Sequence, residues 1–324
     1  MSYKVTEETF DHLWAEWESL LTQSTFQTTF LTPSWQYDWW QEYGETATLY
    51  LRSIRDQGHL IGIAPLMSID NTILFLGDTD LWDYHDFIIQ NGREENFYPS
   101  MFEDLSSHPW DTLDFRSIPE FSPTMIYLPK LANQYGYTVD ITQEDVSPGM
   151  NLPKTWDDYL LSLSKKNRHE LRRKFRKLDA QVVHKSYSVD AGPINDVLDD
   201  FFNLMRISHE GKTLFLTQER ERFFRRMAKT MNDIESLKLF FMEVSGIRIA
   251  TAMCFDYGNS RFLYNSGYDP SYSALSVGLL LKALSIKDAI ESEKTYYDFL
   301  RGVEPYKYHF GAKDVQLYNL VVHR

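Results

Sequence analysis

The chain is predicted to be a layered α/β protein (α+β) of two related halves, each a mixed, mainly antiparallel sheet flanked by helices. Three observations lead there. The length of 324 residues exceeds what one core usually serves, favouring two domains of roughly 150 residues each. Hydrophobic residues make up 43% of the chain and charged ones 24%, so there is apolar area for two cores. And helical and alternating patterns recur in the order helix, strand meander, helix, strand, strongly in the second half and weakly in the first.

Phe10, Leu13, Trp14, Trp17 and Leu20 recur at spacings of three and four, the signature of a helix with one buried face. Thr32 and Pro33 are a cap and a first-turn residue for a second helix to Tyr43, with Gly44 as its stop. Residues 47–55 and 59–69 read as strands around the tight reversal Asp56-Gln57-Gly58, and 71–76 extends the meander. Helices are expected at 94–106 and 120–135, with strands at 112–116 and 137–141.

The pattern breaks at Ser147-Pro148-Gly149, which sets the expected boundary: 1–150 for the first domain and 151–313 for the second, with the strand-like tail 314–324 packing on the first. In the second half helices are expected at 155–178, 190–210, 217–231 and 276–290. Strands are expected at 237–244, 247–257, 261–267 and 295–300.

The lone cysteine, Cys254, allows no internal disulfide and no cysteine metal cage, and its apolar run reads as burial. With no apolar leader and no run of ~20 apolar residues, a cytoplasmic protein without membrane insertion is expected. A net charge of −13 argues against DNA binding.

Four constellations carry chemistry. Leu275-Ser276-Val277-Gly278 leaves a strand and opens a helix, where unpaired amides and the helix dipole suit a pyrophosphate; the alternative is an ordinary cap with Gly278 for close packing. Asp298, Arg301, Glu304, Tyr306 and Lys307 gather at a strand's carboxyl end, where open α/β sheets bind ligands. Carboxylates there suit proton removal from an amine and Tyr306 its return to a leaving group, or else the charges fix the loop. Lys165 to Leu178 is one basic helix in an acidic chain, and Arg172 and Arg173 on it attract a polyanion or merely solvate a face. Trp82, Asp83, His85 and Asp86 crowd one loop, as an acceptor-binding surface or as a satisfied loop. No second histidine stands at ligand spacing, so no metal is expected.

On Asn167 to Leu178, Gly267-Tyr268-Asp269-Pro270 through Gly278, and Tyr297-Asp298-Phe299-Leu300-Arg301-Gly302 with Glu304, Tyr306 and Lys307, residues 150–312 resemble the GNAT-related acetyltransferase domain of the CelD-like proteins. That branch is similar to the FemAB-type aminoacyltransferases, and the first half resembles it more loosely. The resemblance implies tandem GNAT-like domains and an acyl-CoA, such as acetyl-CoA, as donor. The acyl group would pass by direct attack to the amine of a small molecule or amino sugar, in polysaccharide or envelope metabolism. Asp298, Glu304, Tyr306 and Lys307 would be catalytic; Leu275, Ser276, Val277, Gly278, Arg172 and Arg173 would hold the donor; Trp82, Asp83, His85, Asp86 and Arg301 would hold the acceptor. The oxyanion would meet the strand Phe262 to Ser266. The turn departs from the family's serine, proline, glycine pattern, which keeps two alternatives in play: a transferase using aminoacyl-tRNA, and a non-catalytic scaffold.

Overall fold

The computed structural model describes residues 3–189 and 194–324. They divide into two compact units, one comprising the chain to Val146 with Val315–Arg324, the other Ser147–Asp314.

The first unit begins with β1 (Lys4–Glu7), α1 (Phe10–Leu21) and α2 (Pro33–Tyr43). The meander β2 (Thr48–Asp56), β3 (His59–Ile69) and β4 (Thr72–Phe75) follows, then β5 (Ile88–Ile89), α3 (Glu94–Ser107), β6 (Thr112–Pro119), α4 (Thr124–Gln134) and β7 (Thr138–Asn151), whose last residues belong to the second unit. Helix α1 buries Phe10, Leu13, Trp17 and Leu20 of the predicted stripe together with Leu21, while Trp14 is half-buried. Thr32 caps α2 by accepting from the Trp35 amide at 3.2 Å. Between β2 and β3, Gln57 and Gly58 both have positive φ (50° and 89°), the twist-matched geometry of a two-residue hairpin.

The second unit contains α5 (Trp156–Ser162), α6 (Lys165–Gln181), β8 (His184–Val189), α7 (Asn195–Ser208), α8 (Glu210–Phe215) and α9 (Gln218–Asp233). Then come β9 (Leu237–Val244), β10 (Ile247–Tyr257), β11 (Ser260–Tyr268), α10 (Val277–Glu291), β12 (Tyr296–Asp298) and α11 (Pro305–His309). The last strand, β13 (Lys313–His323), pairs antiparallel with β6. Strand order is β1-β2-β3-β4-β6-β13-β7 in the first unit, with β5 on β3, and β7-β12-β11-β10-β9-β8 in the second. Strand β4 runs parallel to β6 in the first unit and β11 to β12 in the second, and in each case a helix lies in the connection. Both units are thus mainly antiparallel sheets flanked by helices.

Several elements differ from expectation for local reasons. The helix expected at 155–178 is two, because Ser164 accepts from the Asn167 amide at 3.2 Å and starts α6 afresh. The one expected at 190–210 divides at His209; its start, 190–193, lies outside the described residues. Ser147-Pro148-Gly149 is strand rather than break: Pro148 needs only its carbonyl, which accepts from the Phe299 amide at 2.9 Å. The short strands β1 and β8 were not expected. Among the described residues no helix is long and apolar enough to cross a membrane.

Candidate active site

Strand β11 organises the second unit's site. On one side it stays antiparallel to β10 as far as Ala250↔Tyr268; on the other its parallel pairing with β12 covers only Ser260, Arg261 and Phe262. Beyond Phe262 the two strands part, leaving one edge of β11 without a ladder partner. A register shift at Met253/Cys254, opposite Leu263 and Asn265, gives β11 an extra residue at that opening. Tyr264, Asn265 and Ser266 are half-buried there. Lys212 of α8 reaches this stretch, donating to Asn265 Oδ1 at 3.0 Å and to the Ser266 carbonyl.

Below the opening, β11 leads into α10 through Pro270–Leu275, a 3₁₀ segment started by Asp269, which accepts from the Ser271 amide at 2.9 Å. Ser276 then takes a left-handed conformation (φ 58°, ψ 33°) uncommon outside glycine. The first-turn amides of α10 therefore begin at Val277, without intrahelical acceptors. Gly278 serves packing: a Cβ there would lie 3.0 Å from Tyr268 Cδ1.

Helix α6 brings charge to this turn, though not through the arginines expected. Lys174 Nζ donates to Ser276 Oγ and Lys177 Nζ to the Ala274 carbonyl, each at 2.8 Å. Arg173 instead chelates Glu170 (2.8 and 2.7 Å) and, chiefly by those hydrogen bonds, holds its carboxyl down to about 2. Arg172 lines a separate cavity of about 540 Å³ with Trp156, Leu160, His169 and Phe175. The signal for the lysines was their spacing along the edge of the buried Leu171 and Leu178 stripe, where a long side chain reaches a neighbouring element.

At the exit of β12 the expected residues come together, mostly holding the backbone. Asp298, 3% exposed, accepts from the Leu300 amide at 2.8 Å and from Ser147 Oγ at 3.2 Å. Leu300 has φ 59° and Gly302 φ 109°, so the turn is strained and needs such anchoring. Lys307, 1% exposed, donates to the carbonyls of Leu300, Arg301 and Gly302 at 2.7, 2.7 and 3.0 Å and pairs with Glu304 at 3.0 Å. Its donors are thus fully engaged: where a catalytic residue was expected, the structure places a side chain that clamps the turn. Lys307→Met is expected to destabilise by about 1–3 kcal/mol for each carbonyl left dry, read by urea unfolding. Arg301 is half-buried at the same turn. Tyr306 is half-buried too; burial, then the Glu304 charge, raises its phenol above the ordinary tyrosine range, so it stays a proton donor. Cys254 is buried, its thiol pushed up to about 12 by desolvation.

The loop residues of the first unit lie in packed surroundings. Trp82 is 1% exposed and stacks on His85 with ring centroids 5.0 Å apart. Asp86, 4% exposed, accepts from Thr124 Oγ1 at 2.5 Å and from the Phe87 amide at 2.9 Å, its carboxyl raised to about 6 by burial. Direct acceptor contact by Trp82 and Asp86 is therefore replaced by a packing role. Asp83 is half-buried, and His85 borders a cavity of about 400 Å³ with Trp39, Asp78 and Arg116.

The second unit thus presents a strand opening over a helix start, with Tyr306 and carboxylates beside it. Residues 165–308 match the family model described as an acetyltransferase (GNAT) domain, so the second unit carries a GNAT domain and the chain is an N-acyltransferase. In fold the chain is similar to FemX (TM-score 0.70, 12% identity, 98% of this chain and 96% of that one). It is similar to a tandem GNAT protein from the clavulanic acid biosynthesis pathway (TM-score 0.55, 10% identity, 98% of each chain). A third likeness is to L-PGS from Bacillus licheniformis (TM-score 0.56, 9% identity, 90% of this chain and 91% of that one). The first unit's likeness to a GNAT fold rests on these full-length similarities. No curated protein matches the sequence.

Proposed function

We propose that the chain moves an acyl group from an acyl-coenzyme A to the amine of a small molecule or amino sugar. The observation that carries this reading is the start of α10, where Ser276 turns the chain and Lys174 and Lys177 add positive charge to the free amides of the first turn. A pyrophosphate suits that turn, and the open edge of β11 offers backbone groups to a developing oxyanion. Tyr306 returns a proton to the departing thiolate. Asp298, Lys307 and Gly302 keep the β12 exit in shape.

Thermal unfolding with excess acetyl-CoA tests it, since a ligand at 100 times its Kd stabilises by about 2.7 kcal/mol. A rise in Tm that Lys174→Glu or Lys177→Glu abolishes is the expected result; no shift with acetyl-CoA, longer acyl-CoAs or free coenzyme A would sink the reading.

The second reading is transfer from an aminoacyl-tRNA, favoured by the full-length fold likeness to FemX and by the exposed Arg172 and Arg176 on α6. A mobility shift with charged tRNA, steeply weakened by salt and by Arg172→Glu, distinguishes it.

A further inference from the structure

Acyl transfer needs a base for the acceptor's ammonium, and the carboxylates at the β12 exit are engaged: Asp298 with Leu300 and Ser147, Glu304 with Lys307. Lys282 stands apart from them. It is 9% exposed on α10, in a stretch whose neighbours Leu280, Leu281 and Ala283 are buried and apolar. Its Nζ lies 4.9 Å from the centroid of the Tyr306 ring. Its hydrogen-bond acceptor is the Gly278 carbonyl of its own helix, at 3.5 Å, a marginal bond. Among the described residues it has no ion-pair partner.

The groups that face it come from four elements: Lys212 of α8, Lys307 of α11, Glu304 of the preceding loop and Cys254 of β10. Lys212, whose charge bears on Lys282, is also the residue that reaches Asn265 and Ser266 on the open edge of β11. Desolvation first, then repulsion from Lys212, pushes the Lys282 ammonium down to about 7; burial likewise takes Lys212 down to about 8. Lys282 thus gives up its proton more readily than an exposed lysine, and it lies over the ring of a phenol that keeps its own.

We propose that Lys282 Nζ, lying over the Tyr306 ring, is the general base that removes a proton from the acceptor's ammonium. This deepens the N-acyl transfer reading and rests on it. The neutral amine of Lys282 takes one proton from R–NH₃⁺ and later releases it to solvent. The freed amine forms a C–N bond to the donor's carbonyl carbon, and the C–S bond breaks. The departing sulfur takes a proton from Tyr306, which is reprotonated by the second proton lost from the acceptor nitrogen. Products are the amide, the thiol and one released proton.

The test uses the full chain and two readouts. In lysine labelled at Cε, one resonance is expected to titrate near neutrality and to vanish in Lys282→Met, while that of Lys212, near about 8, persists in the variant. With acetyl-CoA and a primary amine, Lys282→Met and the permanently charged Lys282→Arg are expected to lose about 10²–10⁴-fold in kcat. Acetyl-CoA should still raise Tm in both variants. The rate of Lys282→Met should then climb with pH in step with the acceptor's own free-amine fraction.

Misfolding does not confuse the result, because Lys282→Met removes a desolvated amine. The folded-state value lies below the unfolded one, so the wild type gains stability as pH rises between them. The variant should therefore be the more stable protein at neutral pH, by a margin that narrows toward alkaline pH. A Lys282 resonance titrating in the ordinary lysine range in an active enzyme, or an unchanged pH profile in Lys282→Met, would overturn the role of Lys282 alone. Failure of the wild type to turn over with any acyl-CoA would overturn the acyl-CoA reading and with it this role.

Discussion

Arg261→Met is expected to cost the second unit about 3–5 kcal/mol, because it strips a buried charge network of its centre. Arg261 is fully buried in β11. Its guanidinium grips Asp256 of β10 with two hydrogen bonds, Nε to Oδ1 at 2.7 Å and Nη2 to Oδ2 at 2.8 Å. Nη1 donates to Asp288 Oδ1 at 2.5 Å and to the Ser285 carbonyl at 3.0 Å, both on α10. One side chain thus joins two strands to the helix that follows the Ser276 turn and carries Lys282. Removing it leaves Asp256, 9% exposed at its side chain, with only Lys294 at 3.8 Å as a cation. Arg261→Lys should recover little, since a point charge cannot reproduce the forked pairing. Arg261→Met with Asp256→Asn should recover part of the loss, because the stranded charge goes too. Urea unfolding measures all three variants, and a loss below about 1 kcal/mol for Arg261→Met would place the network among ordinary surface pairs.

Gly267→Ala is expected to be nearly as damaging for a steric reason. A Cβ at residue 267 would lie 2.5 Å from Leu204 C, Leu204 O and Met205 N, all backbone atoms of α7. A backbone cannot step aside as a flexible side chain can, so β11 and α7 must separate, at a cost of about 1–3 kcal/mol or more. The displacement begins one residue from the Ser266 carbonyl held by Lys212, so turnover should fall further than stability alone accounts for. Calorimetry beside steady-state kinetics checks this; an alanine variant with wild-type Tm and kcat would show that the strand and helix do not approach this closely in solution.

The elements legible in the sequence were those whose signal is local. Helix α1 announces itself through Phe10, Leu13, Trp17 and Leu20, and α2 through Thr32 and Pro33, because burying a helix face and satisfying its first amides are demands met within a few residues. The meanders of both units follow from alternation and turn chemistry. Strands β1 and β8 have only 4 and 6 residues, and their pairing with β2 and β9 comes from the partner's edge rather than from a pattern of their own.

The candidate site divides along the same line. Residue type and position marked Asp298, Tyr306 and Lys307 as gathered at a strand exit and Ser276 as the opening of a helix, and the GNAT resemblance supplied the reaction class. Which of them hold backbone and which remain able to move protons depends on partners brought from elsewhere in the unit: Ser147 for Asp298, Lys174 for Ser276. Lys282 and Lys212 read as ordinary lysines because desolvation is a property of the surroundings, and those surroundings come from α8, α10, α11 and the strands. The sequence alone therefore determined the order of the main elements, which rests on period, caps and residue type, and its resemblance to a family supplied the kind of chemistry. Tertiary structure decided the partners and burial of each group, because charge neighbours exist only once distant segments have packed together.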